Sequence, residues 1–345
     1  MRILVVTDAW KPQVNGVVRT LESVGRALGE MGTVVDFLTP QGFATVPLPT
    51  YAEIRLALAS PRAVAKRLDA AAPDHIHIAT EGPLGFFARH YCLRRQCPFT
   101  TSYHTKFPEY IGARARIPET ISYAWLRRFH NAACGVMVST KSLAEDLASR
   151  GFFRLMRWSR GVDHGQFNPT KARPLDLPRP IFLYAGRVAP EKNLAAFLSL
   201  DLPGSKLIAG DGPARPALHA AYPEAHFIGM HPPEALAGYY ASSDVFVFPS
   251  RTDTFGIVLI EALACGLPVA ALPVPGPADV IGTSGAGVLD WNLRAACFAA
   301  LEIPRERARE HALMFTWEKS ARQFLDNILA ARAAAQRGKE ASPAC

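Results

Sequence analysis

No two of the six cysteines stand in a CxxC pair, and no histidine cluster accompanies them. That spacing argues against a zinc site and offers no disulfide framework, so reduced thiols are expected. No apolar run reaches the eighteen or so residues that a membrane-spanning helix requires. The first residues, "MRILVVTDAW", do not read as a secretory signal, because the apolar run is short and Asp8 follows it at once. There is no GK[ST] to complete a Walker loop, and no GxGxxG after the first strand, which disfavours a dinucleotide dehydrogenase. "GTSGAG" near residue 285 has similar letters but lacks the strand-to-helix context. A pI near 9.3 invites a nucleic-acid-binding reading. No zinc finger, basic zipper or RNP signature supports it, and nucleic acid is not an expected partner.

What is present fits an ordinary globular protein: 49% hydrophobic and 20% charged residues. The net charge of +8 is uneven. Up to Asp163 there are 21 basic and 13 acidic residues, and after it 17 of each. The whole excess lies in the N-terminal half, which points to an anionic surface or substrate on that side.

The pattern is strand, helix, strand, repeated. "RILVVTD" and "VVDFLTP" read as strands around a helix with apolar Val18, Leu21, Val24 and Leu28. "HIHIAT", "PFTTSYH" and "GVMVST" read as further strands, separated by helices. This alternation implies a parallel sheet covered on both faces. Near residue 160 the pattern gives way to a Pro- and Gly-rich stretch, then restarts at "IFLYAGR". The expected organisation is α/β, with two Rossmann-like, doubly wound domains facing a cleft. They span 1–165 and 166–335, with a frayed tail at 336–345 and a C-terminal helix crossing back to domain one.

In such sheets ligands bind beyond the carboxyl ends of the strands. "GRVAPEKN" follows one strand: Gly186 admits close backbone approach, and Arg187 and Lys192 are candidate anion ligands. A solvated loop with an ion pair is the plainer reading. Gly210-Asp211-Gly212 and Gly229 end two other strands as close-approach turns or ordinary ones. "PSRTDTFGIVLIEALACGLP" holds Asp253 in a polar turn and Glu261 in an almost wholly apolar helix. An isolated Asp before a helix is most simply an N-cap. Glu261 needs a partner, because a buried unpaired carboxylate is expensive. In the first half, the "KPQVNG" loop ending at Gly16 runs into a helix, and His104 ends a strand with Lys106 and Glu109 nearby.

Taken in order, "NGV", "YHTKFPEY", "RGVD", "GRVAPEKN", "AGDGP", "FIG" and "SRTDTFGIVLIEALACGLPV" resemble the family-4 retaining glycosyltransferases of GT-B architecture. The likeness spans nearly the whole chain, and the last stretch is the most specific. The family carries two acidic residues separated by seven, most often both Glu. The resemblance implies that Glu261 holds the ribose hydroxyls of a nucleotide-sugar donor, a UDP-sugar or GDP-mannose. Asp253 faces the transferred sugar, and is shorter than the usual Glu by one C–C bond, about 1.5 Å. Arg187 and Lys192 neutralise the diphosphate, and Phe255, Gly256 and Ile257 offer it backbone amides. Gly16 sits opposite, Gly186 and Gly229 complete the donor site, and His104 lies near the reacting centre. Transfer proceeds with retention. No cofactor and no metal are implied, in agreement with the lack of a DxD-like signature.

Glu81 and Glu109 are candidate acceptor-side residues. "GFFARHYCLRR" and "ARARIPETISYAWLRRFH" mix arginine with aromatics, as at an interface with anionic lipid. A diacylglycerol-like lipid is the first acceptor and a saccharide the second. The expected place is cytoplasmic, peripheral on the inner membrane. A sugar-nucleotide epimerase or hydrolase of the same fold is the alternative enzyme.

Overall fold

The computed structural model describes residues 1–13, 15–48, 51–104 and 118–340. It forms two compact units. The first is Met1–Arg160 together with the chain from Trp317 onward, and the second is Gly161–Thr316.

In the first unit, β1 (Arg2–Val6) leads to α1 (Gly16–Glu30), whose Asn15 cap accepts from the amides of Val17 and Val18. Next come β2 (Val34–Leu38), the antiparallel pair β3 (Thr45–Leu48) and β4 (Tyr51–Ala57), α2 (Pro61–Ala71) and β5 (His75–Ile78). Then follow α3 (Pro83–Arg94), β6 (Phe99–Tyr103), α4 (Glu119–His130), β7 (Gly135–Val138), α5 (Lys141–Ser149) and β8 (Leu155–Arg157). The main sheet is parallel, in the order β2-β1-β5-β6-β7-β8. The periodicity of the sequence gives no sign of the hairpin β3–β4.

The second unit contains β9 (Ile181–Ala185), α6 (Leu194–Leu198), β10 (Ser205–Ala209), α7 (Arg215–Ala221), β11 (His226–Gly229) and α8 (Pro233–Ser242). It continues with β12 (Val245–Phe248), α9 (Ile257–Ala264), β13 (Val269–Ala271), α10 (Pro275–Val280), β14 (Gly287–Leu289), α11 (Leu293–Leu301) and α12 (Arg305–Ala312). Its sheet is parallel too, in the order β11-β10-β9-β12-β13-β14. Side chains alternate across a strand. In β9, Ile181, Leu183 and Ala185 therefore pack on one face and Phe182 and Tyr184 on the other. Both faces are buried, as the continuous apolar strands require.

The last helix, α13 (Trp317–Glu340), belongs to the first unit. Ala321, Phe324 and Ile328 pack with Ile3 and Val5 of β1 and Leu21 and Val24 of α1. The expected second domain of 166–335 is corrected accordingly: the division falls at Arg160/Gly161, and the second unit stops at Thr316. The expected crossing of the C-terminal helix back to the first domain is present, and it is what the bounds 166–335 left out. The helix also runs through 336–340, read above as frayed tail. The remaining tail, 341–345, and Glu109, Lys106, Arg114 and Arg116 lie outside the described residues.

Candidate functional site

The second unit reverses its strand order between β9 and β12. Strand ends diverge at such a switch point and leave room for a ligand. The loops flanking it are 186–193 and 249–256, both among those that the sequence singles out. Lys192 Nζ meets Asp253 Oδ1 at 2.6 Å, with both side chains 18% exposed. Asn193 Nδ2 donates to the Pro249 carbonyl at 3.1 Å, a second tie between the loops. Lys192 closes a one-turn 3-10 helix, Pro190–Lys192, that precedes α6.

The expected division of labour has Lys192 on a diphosphate and Asp253 on a sugar. In this structure the two charges face each other. The other oxygen, Asp253 Oδ2, is buried without a hydrogen-bond partner among the described residues, as are Ser250 Oγ and Thr252 Oγ1. Buried polar atoms are normally satisfied, so three such oxygens on four consecutive residues are groups that solvent or the polar atoms of a ligand can serve. Asp253 is not the helix cap. Gly256 holds that position, in the left-handed region at φ +81, and α9 starts at Ile257. Phe255 buries its ring at 6.1 Å from that of Phe315, which anchors the loop to the core.

Glu261 is 2% exposed, one turn into α9. Tyr240 donates its hydroxyl to Glu261 Oε2 at 3.3 Å, so a protein group serves the buried carboxylate. Arg187 is half-buried at the end of β9, and its carbonyl accepts from Tyr184 at 2.8 Å. Burial first, then the charges of Asp253 and Glu191, hold the Tyr184 phenol well above its ordinary pKa.

Glycines join the ends of β9, β10 and β11. Gly186 donates to the Ala209 carbonyl at 2.9 Å, and Gly210 to that of Gly229 at 2.8 Å. A Cβ on Gly210 would lie 1.8 Å from the Gly186 carbonyl oxygen. The close approach foreseen for these turns is therefore made, at least in part, by backbone to backbone.

In the first unit, the carboxyl ends of adjacent strands β1, β5 and β6 carry Asp8, Glu81 and His104. Glu81, the expected acceptor-side residue, has one oxygen engaged within the unit. It binds His130 Nε2 at 3.0 Å, and His130 Nδ1 meets Thr101 Oγ1 at 2.9 Å. Asp8 accepts from the amides of Leu84 and Gly85 at the start of α3 and from the Thr80 hydroxyl. Burial raises its carboxyl to about 6 against these hydrogen bonds, with help from the Glu81 charge. His104 Nδ1 faces Arg160 at 3.2 Å. Gly16 is the first residue of α1. Sequence reasoning passed over Asp8, His130 and Arg160. The signal for Asp8 was its place after the first strand. Arg160 stood in the "RGVD" stretch, which carried the resemblance without a role for the arginine.

On the mixed surface of α3 and α4, Phe86, Ile121 and Trp125 are exposed. Tyr123 and Phe129, expected beside them, are buried. Arg89 ties the two helices by donating to the carbonyls of Arg128 and Phe129. Among the described residues no group of three or more His, Cys, Asp or Glu could hold a metal ion. No described helix is long and apolar enough to cross a membrane. Cys92, Cys97, Cys134, Cys265 and Cys297 are free thiols, and burial pushes those of Cys92, Cys265 and Cys297 up to about 12.

Two family models match, each on one half of the chain. "Glycosyltransferase Family 4" covers residues 14–166, and "Glycosyl transferases group 1" covers 179–302. A GDP-mannose-dependent alpha-mannosyltransferase of Mycobacterium tuberculosis is 33% identical over 317 residues, 84% of this chain and 83% of the relative. The chain belongs to the family 4 glycosyltransferases. An alpha-monoglucosyldiacylglycerol synthase of Streptococcus pneumoniae is 26% identical, over 94% of this glycosyltransferase and 83% of the relative. The fold matches sucrose-phosphate synthase of Thermosynechococcus elongatus with a TM-score of 0.77 at 23% identity, covering 96% and 99% of the two chains. The two doubly wound units of this glycosyltransferase are those of the GT-B architecture.

Proposed function

We propose that this glycosyltransferase moves a hexose, with retention, from a nucleoside-diphosphate sugar to a hydroxyl of a diacylglycerol-like lipid. GDP-mannose is the first donor to test. The observation that carries the reading is the switch point of the second unit, where a Lys192–Asp253 pair borders three buried, unsatisfied oxygens. Sugar hydroxyls and phosphate oxygens supply the complementary atoms. The nucleoside diphosphate departs as an anion, and fixed cations and amides stabilise the charge as the bond breaks. Each such donor is worth roughly 10²–10³ in rate. Arg187 and Lys192 are the cations, the backbone at Phe255, Gly256 and Ile257 supplies amides, and no metal is required. Lys192 then exchanges part of its contact with Asp253 for phosphate, which frees Asp253 for a sugar hydroxyl.

The donor reading draws on the mannosyltransferase relative, and the acceptor reading on the diacylglycerol-glycosylating one. Exposed Phe86, Ile121 and Trp125, beside Arg94 and Arg128, suit an anionic membrane surface at its cytoplasmic face. A thermal-shift screen against GDP, UDP and ADP, followed by their sugars, tests the donor. A ligand at a hundred times its dissociation constant stabilises by about 2.7 kcal/mol. If no nucleoside diphosphate shifts melting, the donor site is wrongly placed. The anomeric configuration of the product tests retention.

A further inference from the structure

The segment Trp158-Ser159-Arg160 ends the first unit, and it holds a buried cation beside a histidine. Arg160 is 5% exposed. Its guanidinium donates to the carbonyls of Trp158 at 2.6 Å and Ser159 at 3.3 Å. It lies 4.4 Å from the centre of the Trp158 ring. It also reaches His104 Nδ1 at 3.2 Å. The segment is itself clamped by α13. Trp158 Nε1 donates to Ser320 Oγ at 3.1 Å, Ser320 donates to the Ser159 carbonyl at 2.8 Å, and the Ser159 amide donates to Gln323 Oε1 at 2.7 Å. Phe324 packs against the Trp158 ring, centroids 4.8 Å apart. The position of the guanidinium is therefore set by the last helix.

A guanidinium has donors only. An imidazole nitrogen facing it must accept, so Nδ1 carries the lone pair and the single proton sits on Nε2. We propose that Arg160 is a positioning residue that fixes His104 as the neutral Nε2–H tautomer, which makes His104 a hydrogen-bond donor and not a base. In that tautomer Nε2 has no lone pair to take a proton, and Nδ1 is already engaged. The surrounding charges agree. Burial first, then Arg160, His77 and His130, hold the His104 pKa well below its ordinary value. Burial likewise brings Arg160 down to about 9, still charged at neutral pH. The His77 ring is occupied elsewhere, by Thr100 and Ser102. His130 is occupied by Thr101 and Glu81.

The role for His104 rests on the proposed transferase reading, but the tautomer does not. The test uses the full chain without donor. Ring-nitrogen NMR of ¹⁵N-histidine-labelled protein, with His104→Asn to assign the signal, reads which nitrogen holds the proton. We expect an unprotonated Nδ1 and a protonated Nε2, unchanged from about pH 5 to pH 8, the range in which an ordinary histidine titrates. In Arg160→Met, His104 is expected to titrate within that range or to populate the other tautomer. Its kcat is expected to fall on the order of tenfold or more, within the 10²–10³ cost of losing a preorganised donor outright, and donor KM to change little. A wild-type His104 with its proton on Nδ1, or one charged at pH 6, overturns the proposal. So does a folded Arg160→Met whose His104 signal is unmoved. If that variant does not fold, the wild-type spectrum alone decides. A wild type that turns over no nucleotide sugar sinks the transferase reading and leaves the spectrum to decide the pair.

Discussion

Lys192 and Asp253 meet at 2.6 Å across the switch point of the C-terminal sheet, each neutralising the charge the other would offer a ligand. Removing one member leaves the other largely desolvated. Lys192→Met is expected to cost about 2–3 kcal/mol, less than the 3–5 of a fully buried pair because both side chains keep some contact with water. Lys192→Met combined with Asp253→Leu should recover part of that loss. Denaturant melts of the four proteins in the cycle measure the coupling, and strictly additive losses refute the pairing. Transferase activity should be lost in both single variants.

Glu261→Gln keeps the volume of the side chain and an oxygen able to accept from Tyr240. The expected outcome is a fold of nearly unchanged melting temperature with donor affinity lowered tenfold or more, about 1.4 kcal/mol. Calorimetric titration with the nucleoside diphosphate checks it. Unchanged affinity removes Glu261 from the donor site.

Asp8 predicts a pH dependence of stability. Its folded pKa of about 6 lies above the ordinary 3.8, so the native state binds the proton more tightly than the unfolded chain. Its contribution is therefore most favourable below pH 4 and is lost as the pH rises through 6. A shift of two units is worth about 3 kcal/mol. Asp8→Asn titrates no longer, so the stability difference between variant and wild type should move in favour of the variant between pH 4 and pH 7. Urea melts at the two pH values read it, and a difference constant with pH would contradict the assignment.

Two glycines should respond oppositely to alanine. Gly210 sits at φ +145, and its Cβ would strike the Gly186 carbonyl. Gly210→Ala is expected to destabilise by about 4 kcal/mol or more, in the exceptional range for one substitution. Gly29 lies in α1 with nothing within 4 Å of an added Cβ. Gly29→Ala should stabilise by about 0.5–1 kcal/mol. Thermal unfolding of both distinguishes them, and similar shifts would discredit the contact at Gly210.

Phe324 tests the place of the last helix. It is 1% exposed within the core of β1 and α1. Phe324→Ala should cost about 3–5 kcal/mol. Amide exchange should rise in β1 and α1 and not in β9 or β12. Faster exchange in the second unit would place the helix wrongly.

The sequence by itself determined the alternation of strand and helix, the parallel sheets and the loops at their carboxyl ends. Those follow from short-range rules: continuous apolar strands, helical periodicity, and Gly, Pro and Asn at turns. It also marked Glu261 as a charge in need of a partner, because seven apolar neighbours surround it. Tertiary structure alone decided who answers each charge. Tyr240, twenty-one residues before Glu261, is that partner, and Lys192 turns to Asp253 sixty-one residues away. The return of the last helix to the first unit was expected, but only the fold shows that Ala321, Phe324 and Ile328 are the residues that pack on β1 and α1. Arg160 gained its meaning in the same way, because His104 is fifty-six residues distant and α13 follows the whole second unit. A local pattern fixes what a residue can offer. Which partner takes it depends on contacts between strand ends that only the folded sheet brings together.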